Sequence, residues 1–105
     1  WASWCGPCRN ENPHVVAAYN QYKDKNFEIL GVSLDSKKDA WLAAIEKDGL
    51  IWPQVSDIGG WKNVVAQQYA VQSIPQNFLL DPDGKIIAKN LRGEGLSKKL
   101  AELFQ

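Results

Sequence analysis

The chain has 105 residues, of which 45% are hydrophobic and 10% aromatic, enough to bury the core of one ordinary domain. Twelve basic residues balance twelve acidic ones, with neither a basic run nor interleaved aromatic and basic residues, so no nucleic-acid partner or anionic membrane surface is indicated. No apolar stretch approaches the roughly 18 residues of a membrane-spanning helix. Because the chain begins at Trp1 rather than at methionine, we expect it to be part of a longer protein.

Both cysteines lie near the start of the chain, in the motif Trp4-Cys5-Gly6-Pro7-Cys8, where a helix is predicted to begin. A cysteine at a helix start has its thiolate stabilised by unpaired backbone N–H groups and by the positive end of the helix dipole, which lowers the thiol pKa. Gly6 allows a sharp turn without a Cβ clash, and Pro7 has its φ already set for the first helical turn. Cys8, one turn further along, can close back on Cys5. The motif predicts a reversible dithiol–disulfide couple.

Two other uses of a Cys-x-x-C pair explain this sequence less well. A zinc site needs further ligands, and the rest of the chain offers only His14 and scattered carboxylates, so we predict no metal site. A structural disulfide between residues so close in sequence constrains the unfolded chain only slightly. Redox chemistry is therefore the favoured interpretation.

A helix and then a buried strand are predicted after the motif. Helical spacing of apolar residues extends over Arg9–Lys25, and Pro13 is expected to kink this helix rather than end it. The run Phe27–Leu34 is sufficiently apolar and β-branched for a strand covered on both faces in a parallel sheet. Asp35 and Ser36 then offer an N-cap for a second helix.

The middle of the chain predicts a second helix over residues 37–48, which ends at Gly49. Its apolar stripe consists of Trp41, Leu42 and Ile45. Residues 51–56 predict a weak strand or an extended segment broken by Pro53. After the loop at Gly59-Gly60, a short helical stripe consists of Trp61, Val64, Val65, Gln68 and Tyr69. The tryptophans expected to pack rather than to form a ligand cage are Trp41, Trp52 and Trp61.

The last third of the chain predicts a hairpin and a closing helix. Pro75 forces the residue before it into an extended conformation, so the preceding helix must stop before it. Two strands, Asn77–Leu80 and Lys85–Ala88, flank the turn sequence Asp81-Pro82-Asp83-Gly84 and are expected to pair antiparallel. The closing amphipathic helix carries its apolar stripe at Leu96, Leu100, Leu103 and Phe104.

Several of these segments together resemble a known family. Trp1–Cys8 resembles the active-site segment of thioredoxins, and Ser73-Ile74-Pro75 before a strand is similar to their cis-proline loop. Within that superfamily the chain is most similar to the TlpA/ResA disulfide reductases of bacterial envelopes, through Arg9–Pro13, Val32–Asp35 and Asn77–Ile86. The resemblance implies a single α/β domain over residues 1–105: a thioredoxin-like fold with a mixed central sheet flanked by helices and one extra strand–helix insertion.

The resemblance also implies an element outside this chain. In the thioredoxin-like fold the catalytic helix follows a central parallel strand, which would lie almost wholly before Trp1. A buried acidic residue that thioredoxins carry in that strand would precede Trp1 as well. We therefore expect the first central strand to be missing and the domain to be N-terminally truncated.

The mechanism that the resemblance implies needs no cofactor. Cys5 attacks a substrate disulfide as a thiolate and forms a mixed disulfide, which Cys8 resolves. Pro75 is expected to lie in cis beside the two cysteines, and the backbone of Ile74 to pair with an extended substrate strand.

Three further residues near the motif carry weaker expectations. Glu11 lies one helical turn after Cys8, where its carboxylate can affect deprotonation of that thiol; in TlpA/ResA-like proteins a glutamate at the matching position serves the active site. A glutamate near a helix N-terminus is also favoured by the dipole alone. Trp4 is expected to shield Cys5 from solvent, and His14 to be a surface residue rather than a catalytic base.

Three functions of different classes remain open at this level. The favoured function is a thiol-disulfide oxidoreductase that reduces protein disulfides in a bacterial periplasm or as an envelope-anchored protein. The partners that the resemblance implies are a disulfide-bearing protein substrate and a membrane thiol-disulfide electron donor. A peroxiredoxin-like peroxidase is the second possibility, but the segment before Cys5 lacks the Pro-x-x-x-Thr/Ser-x-x-Cys arrangement of that chemistry. A non-catalytic thioredoxin-like binding module is the third.

Overall fold

The computed structural model describes residues 1–104, which form four α-helices and four short strands. The helices are α1 (Gly6–Tyr22), α2 (Lys38–Asp48), α3 (Val64–Gln68) and α4 (Gly93–Leu103). The strands are β1 (Gly31–Val32), β2 (Gln54–Val55), β3 (Phe78–Leu80) and β4 (Ile86–Lys89). Short 3₁₀ turns lie at Lys23–Lys25 and Gly60–Lys62.

Helix α1 carries the cysteine motif at its start and continues through Pro13, as predicted. Its end differs slightly from the prediction, because the α-helix stops at Tyr22 and continues as the 3₁₀ turn Lys23–Lys25. The turn closes at Asn26, which has a left-handed backbone (φ 63°). Asparagine tolerates that region better than most residues, which suits it to this position.

The predicted strand Phe27–Leu34 is wrong in length, since only Gly31–Val32 pair, in parallel with β2. The Gly31 N–H donates to the carbonyl of Pro53 (2.9 Å), but Pro53 has no N–H with which to continue the ladder towards the start of the strand. Coverage on both faces is also wrong, because Leu30 is exposed.

The opposite edge of β1 pairs with the segment before the motif. The Trp1 nitrogen donates to the Val32 carbonyl (3.2 Å), and the Leu34 N–H donates to the Trp1 carbonyl (2.8 Å). Strand β1 therefore lies between β2 and the segment that leads into α1. This arrangement brings the carboxyl end of β1 next to the cysteine motif.

The predicted N-cap and apolar face of α2 need correction. Lys37 occupies the N-cap position without a side-chain hydrogen bond, whereas Asp35 is buried and bonded elsewhere. Ala44 is the buried residue of the helix, and Leu42 is exposed. The predicted stop at Gly49 is confirmed, since this residue adopts a left-handed backbone (φ 64°).

The stripe predicted around α3 is likewise not its buried face, because Ala66 alone is buried there. Of the tryptophans expected to pack, Trp52 is buried and stacks edge-on against Tyr19 with ring centroids 5.4 Å apart. Trp41 is half-buried, and Trp61 lies at the surface beside Trp4.

The hairpin is confirmed: β3 and β4 pair antiparallel across the Asp81–Gly84 turn, with a register irregularity at Leu79/Leu80. The Asp81 carboxylate accepts hydrogen bonds from the N–H groups of Asp83 (3.0 Å) and Lys85 (2.9 Å), which fixes the turn. Within residues 1–104 the strands therefore form two separate small sheets, parallel β1–β2 and antiparallel β3–β4, rather than the one mixed central sheet that was expected.

Two buried clusters form the interior, and α1 contributes to both. The first cluster, which we call the cysteine cluster, consists of Ala2, Cys5, Cys8, Leu34 and Ala66. The second, the α1–α4 cluster, consists of Ala18, Tyr22, Leu96 and Leu100. Aromatic rings of Phe27 and Phe104 close the second cluster, with centroids 5.9 Å apart. No helix in residues 1–104 is long and apolar enough to cross a membrane.

We expect Leu100→Ala to lower the free energy of unfolding by about 2–5 kcal/mol, because Leu100 is fully buried and the shorter side chain leaves a cavity. Leu103→Ala on the same helix is the matched control, since Leu103 is 44% exposed. This variant should lose far less free energy of unfolding. Urea denaturation of both variants measures the difference. Equal losses would show that the α1–α4 cluster does not stabilise the domain as described.

Candidate active site

The two cysteines form a disulfide at the N-terminus of α1. Their Sγ atoms are 2.18 Å apart and their Cα atoms 5.2 Å apart. Cys5 is the N-cap residue, with an extended backbone (φ −92°, ψ 103°), and the Cys8 N–H donates to Cys5 Sγ over 3.2 Å. Cys5 Sγ therefore lies where the unpaired N–H groups of the first helical turn stabilise negative charge.

Both cysteines are mostly buried, with 5% of Cys5 and 1% of Cys8 exposed. Cys5 is therefore only slightly more exposed than Cys8. The small residues Ala2 and Ala66 enclose the pair, together with Leu34 from the end of β1. The disulfide is thus part of the hydrophobic interior.

The roles expected of Gly6 and Pro7 have different outcomes. Pro7 lies in the first turn of α1, where a missing N–H costs no helical hydrogen bond, as predicted. The explanation given for Gly6 is wrong, because its φ is not positive and a Cβ built there meets no atom within 4 Å. A side chain at position 6 would fit into open space.

Trp4 lies at the surface, 54% exposed, and its ring faces that of Trp61 with centroids 6.4 Å apart. Trp61 is 48% exposed. The shielding of Cys5 by Trp4 stays a prediction. An open groove of about 290 Å³ runs beside the motif and is lined by Ser3, Trp4, Asp35, Ser36, Lys37 and Ala40.

The Ile74–Pro75 bond is cis, as predicted. Ile74 packs against the cysteine cluster, so the fold brings this loop to the motif from the other end of the sequence. The carbonyl of Pro75 accepts a hydrogen bond from Arg92 Nη2 (2.8 Å) just before α4. The pairing of this loop with a substrate strand stays a prediction.

Glu11 makes a contact that sequence reasoning missed. Its Oε1 accepts a hydrogen bond from the N–H of Gly93 (2.7 Å), the first residue of α4. The N-cap residue of α4, Arg92, makes no capping hydrogen bond with its side chain. Its Oε2 lies 3.6 Å from His14 Nδ1. His14 is mostly exposed, in agreement with its expected surface position. Glu11 in α1 therefore caps the N-terminus of α4. Its effect on deprotonation of Cys8 stays a prediction.

Asp35 is the buried acidic residue beside the motif, and sequence reasoning assigned it wrongly to the N-cap of α2. Its two carboxylate oxygens each accept the Ser3 N–H over 3.1 Å, and they also accept the hydroxyls of Ser3 and Ser33. The only signal in the sequence was a polar residue ending an apolar run. Nothing local indicated the partner, because Ser3 is 32 residues away.

Arg9 is the second residue that sequence reasoning missed. Its guanidinium donates two hydrogen bonds to the Asp48 carboxylate, Nε to Oδ2 (2.5 Å) and Nη2 to Oδ1 (2.9 Å). Its Nη1 donates to the Ser3 carbonyl (3.1 Å), and Asn12 also donates to Asp48 (2.9 Å). These bonds hold the pKa of the Asp48 carboxyl below its ordinary value of 3.8, and they raise the pKa of Arg9.

The residues that the structure describes contain no group of three or more histidine, cysteine or acidic side chains arranged to hold a metal ion. The chemistry that the arrangement can carry out is thiol–disulfide exchange at the start of α1.

Residues 1–89 match the AhpC/TSA family. The chain belongs to this family.

Solved structures similar to this AhpC/TSA chain include a thiol-disulfide oxidoreductase from Bacteroides fragilis, 47% identical, with a TM-score of 0.91. That comparison covers 98% of this chain and 76% of the other. The thioredoxin domain of a thiol-disulfide oxidoreductase from Bacteroides vulgatus is 38% identical, with a TM-score of 0.92 over 100% of this chain and 75% of the other. The thioredoxin-like fold is confirmed.

Curated relatives include the thiol-disulfide oxidoreductase ResA of Bacillus thuringiensis subsp. konkukian, 33% identical over 105 residues. The match covers 100% of this chain and 58% of the relative, so the chain spans little more than half the length of this curated protein. The resemblance to ResA-type proteins is thereby confirmed. Within the AhpC/TSA family, the curated relative and the solved structures that this chain resembles are named thiol-disulfide oxidoreductases.

We expect Asp48→Asn to lower the free energy of unfolding at pH 7 by about 1–2 kcal/mol, because a partly exposed ionic pair with two hydrogen bonds is lost. The pKa of Asp48 is lower in the folded chain, so its stabilisation is present above pH 3.8 and is lost as the pH falls through the folded value. Urea midpoints measured from pH 7 down to acid pH should therefore converge for variant and parent.

Asp83→Asn, in the exposed hairpin turn, is the control for a general loss of negative charge. It should follow the parent across the whole pH range. A constant gap between Asp48→Asn and the parent down to the lowest pH would contradict the assignment of this pH dependence to the Arg9–Asp48 pair.

Proposed function

We propose that this domain is a thiol-disulfide oxidoreductase that reduces protein disulfides through Cys5 and Cys8. The observation that carries the proposal is the closed Cys5–Cys8 pair at the N-terminus of α1, with Cys5 Sγ accepting the Cys8 N–H. A pair that closes and opens at a helix start can pass two electrons without a cofactor. The names of the relatives support the same chemistry.

In the proposed reaction, the Cys5 thiolate attacks one sulfur of a substrate disulfide. The S–S bond of the substrate breaks, its second sulfur leaves as a thiolate and takes up a proton, and a mixed disulfide forms at Cys5. Cys8 then loses its proton and attacks Cys5 Sγ, which releases the first substrate sulfur as a thiol. The substrate gains two electrons and two protons, and the Cys5–Cys8 disulfide forms.

The helix start supports the order of attack. Because Cys5 is the N-cap, its sulfur faces the free N–H groups of the first turn, whereas Cys8 lies inside that turn. No acidic side chain occupies the first turn of α1, so the positive end of the dipole is not neutralised there. Cys5 is also the more exposed of the two cysteines. We assign Cys5 as the nucleophile and Cys8 as the resolving thiol.

The substrate is proposed to bind along the cis-proline loop. Ile74 packs against the cluster that contains both cysteines, so an extended chain joined to Cys5 lies close to this loop. Its backbone could pair with Ile74, while Pro75 offers no N–H there. Trp4, which precedes Cys5, and Trp61, from the Gly60–Lys62 turn, present exposed aromatic surface beside the motif. These residues form the proposed substrate-binding surface.

The proposed partners follow from the electron balance and from the resemblance to TlpA/ResA proteins. Each cycle leaves Cys5 and Cys8 oxidised, so a donor must return two electrons before the next cycle. We propose a membrane thiol-disulfide electron donor for this step and a disulfide-bearing protein as the substrate. The corresponding location is the periplasm or envelope of a bacterium.

A peroxidase is the alternative enzyme class, since the chain belongs to the AhpC/TSA family. The Pro-x-x-x-Thr/Ser-x-x-Cys motif of that chemistry is absent before Cys5, where the chain reads Trp1-Ala2-Ser3-Trp4. Hydrogen peroxide turnover with dithiothreitol as the donor separates the two activities. Peroxide turnover faster than insulin reduction would favour the peroxidase. A protein that shows neither of the two activities would instead be a binding module.

We expect the parent to reduce insulin in a turbidity assay and Cys5→Ser to abolish this activity, because the attacking thiolate is lost. Cys8→Ser should instead accumulate mixed disulfides with insulin chains, since the first attack remains while resolution is lost. Mass spectrometry of the adducts measures this outcome. Full activity of Cys5→Ser would overturn the order of attack. So would insulin adducts that form on Cys8 in Cys5→Ser but not on Cys5 in Cys8→Ser.

We expect Glu11→Gln to shift the pH profile of thiol alkylation in the reduced protein to lower pH. A carboxylate one turn from Cys8 disfavours its thiolate, and the amide removes that charge. The Gln side chain keeps an oxygen that can accept the Gly93 N–H, so the free energy of unfolding should change by only about 0.5 kcal/mol.

Glu46→Gln, on the exposed face of α2, is the matched control and should leave the alkylation profile unchanged. Superimposable profiles for Glu11→Gln and the parent would restrict Glu11 to its contact with α4.

A further inference from the structure

We propose that Asp35 is a positioning residue for the dithiol: it holds the segment before Cys5 in place when the disulfide is open and thereby favours its reclosure. The proposal rests on the proposed function, since it concerns the same cysteine pair. It assigns a role to a buried carboxylate that the mechanism above does not use. Three observations carry it: the bonds to the carboxylate, the bond on the other side of Ser3, and the position of Ser3 just before Cys5.

The Asp35 carboxylate accepts its hydrogen bonds from Ser3 and Ser33, and most of them come from Ser3. Only 1% of Asp35 is exposed, and both carboxylate oxygens accept the Ser3 N–H over 3.1 Å. The Ser3 hydroxyl donates to Oδ1, and the Ser33 hydroxyl donates to Oδ2 over 2.5 Å. Within residues 1–104, Asp35 takes part in no salt bridge to a lysine or arginine. Hydrogen bonds therefore supply the compensation that a buried carboxylate requires.

Ser3 is held from its other side as well. Arg9 Nη1 donates to the Ser3 carbonyl over 3.1 Å, and the same guanidinium is fixed by Asp48. We call this arrangement the Ser3 clamp: Ser3 with Asp35 on its N–H and Arg9 on its carbonyl. The backbone N–H and the carbonyl of Ser3 are thus each hydrogen-bonded to a charged side chain. The N–H bonds to Asp35, which follows β1, and the carbonyl bonds to Arg9 in α1. A loop held in this way has little freedom to move.

The clamp lies two residues before the nucleophile. The Cys5 N–H donates to the Ala2 carbonyl over 3.1 Å, so Ala2–Cys5 forms a closed turn with Ser3 inside it. Leu34, the neighbour of Asp35, belongs to the cysteine cluster. The carboxylate therefore fixes the turn that delivers Cys5 to the helix start, from a point beside the cluster that contains both sulfurs.

Two physical effects of the clamp act in the same direction on the redox equilibrium. A fixed Ala2–Cys5 turn keeps the two thiols close when the disulfide is open, which raises their effective concentration and favours the disulfide. A buried negative charge near the pair disfavours a thiolate, which disfavours the reduced form. Both effects make the parent domain a stronger reductant than a variant that lacks the charge.

The test is the equilibrium between the domain and glutathione. The two thiols of the reduced domain pass two electrons and two protons to one glutathione disulfide, which yields the Cys5–Cys8 disulfide and two glutathione thiols. In Asp35→Asn we expect the constant for this reaction to fall at least about tenfold, equivalent to about 30 mV towards a more oxidising potential. Ser3→Ala, which keeps the charge and the backbone bond, should show a smaller fall in the same direction. Acid quenching and mass measurement give the two populations.

Asp81→Asn is the matched control, because Asp81 also holds two backbone N–H groups but lies in the distant hairpin turn. Its glutathione equilibrium should equal that of the parent. A folded Asp35→Asn variant with the parent's constant would overturn the proposal. Should Asp35→Asn not fold, Ser3→Ala decides, and an unchanged constant in that variant overturns it. This equilibrium needs no protein substrate, so it can be measured even if the parent does not reduce insulin. A failure to reduce insulin would count against the proposed function and not against the role of Asp35.

Discussion

The start of α1 is the constraint on which the rest of the structure depends, because the same residues serve as helix cap, core and disulfide. Cys5 caps the helix with its sulfur, and Cys8 supplies the N–H that this sulfur accepts. Both cysteines also belong to the buried cysteine cluster. A substitution that alters packing there therefore also alters the surroundings of the sulfurs, so reactivity and local stability cannot be tuned independently at this site.

The segments around the pair come from distant parts of the sequence, and hydrogen bonds hold each of them in place. Strand β1 bonds to Trp1 on one edge and to β2 on the other, which brings Leu34 and Asp35 to the motif. The loop of Ile74 and Pro75 is bonded through Arg92 to the start of α4. The site is thus assembled where three separate stretches of chain meet, although its reactive atoms come from one short motif.

Local chemistry decided which parts of this fold could be predicted from sequence. The helix start at the cysteine motif, the helix stop at Gly49 and the hairpin turn depend on residues adjacent in the chain, and all three predictions are confirmed. The length of β1 depends on Pro53 in its partner strand, and the role of Asp35 depends on Ser3. Such partners are fixed only by the tertiary fold, so periodicity and capping preferences could not reveal them.

Helix α1 connects the reactive end of the domain with its second cluster. Its first turn lies in the cysteine cluster, whereas Ala18 and Tyr22 near its end pack with Leu96 and Leu100 of α4. Between them, Glu11 accepts the first N–H of α4. Because these contacts between α1 and α4 do not involve the disulfide, the α1–α4 cluster is held independently of the short Cys5–Cys8 loop.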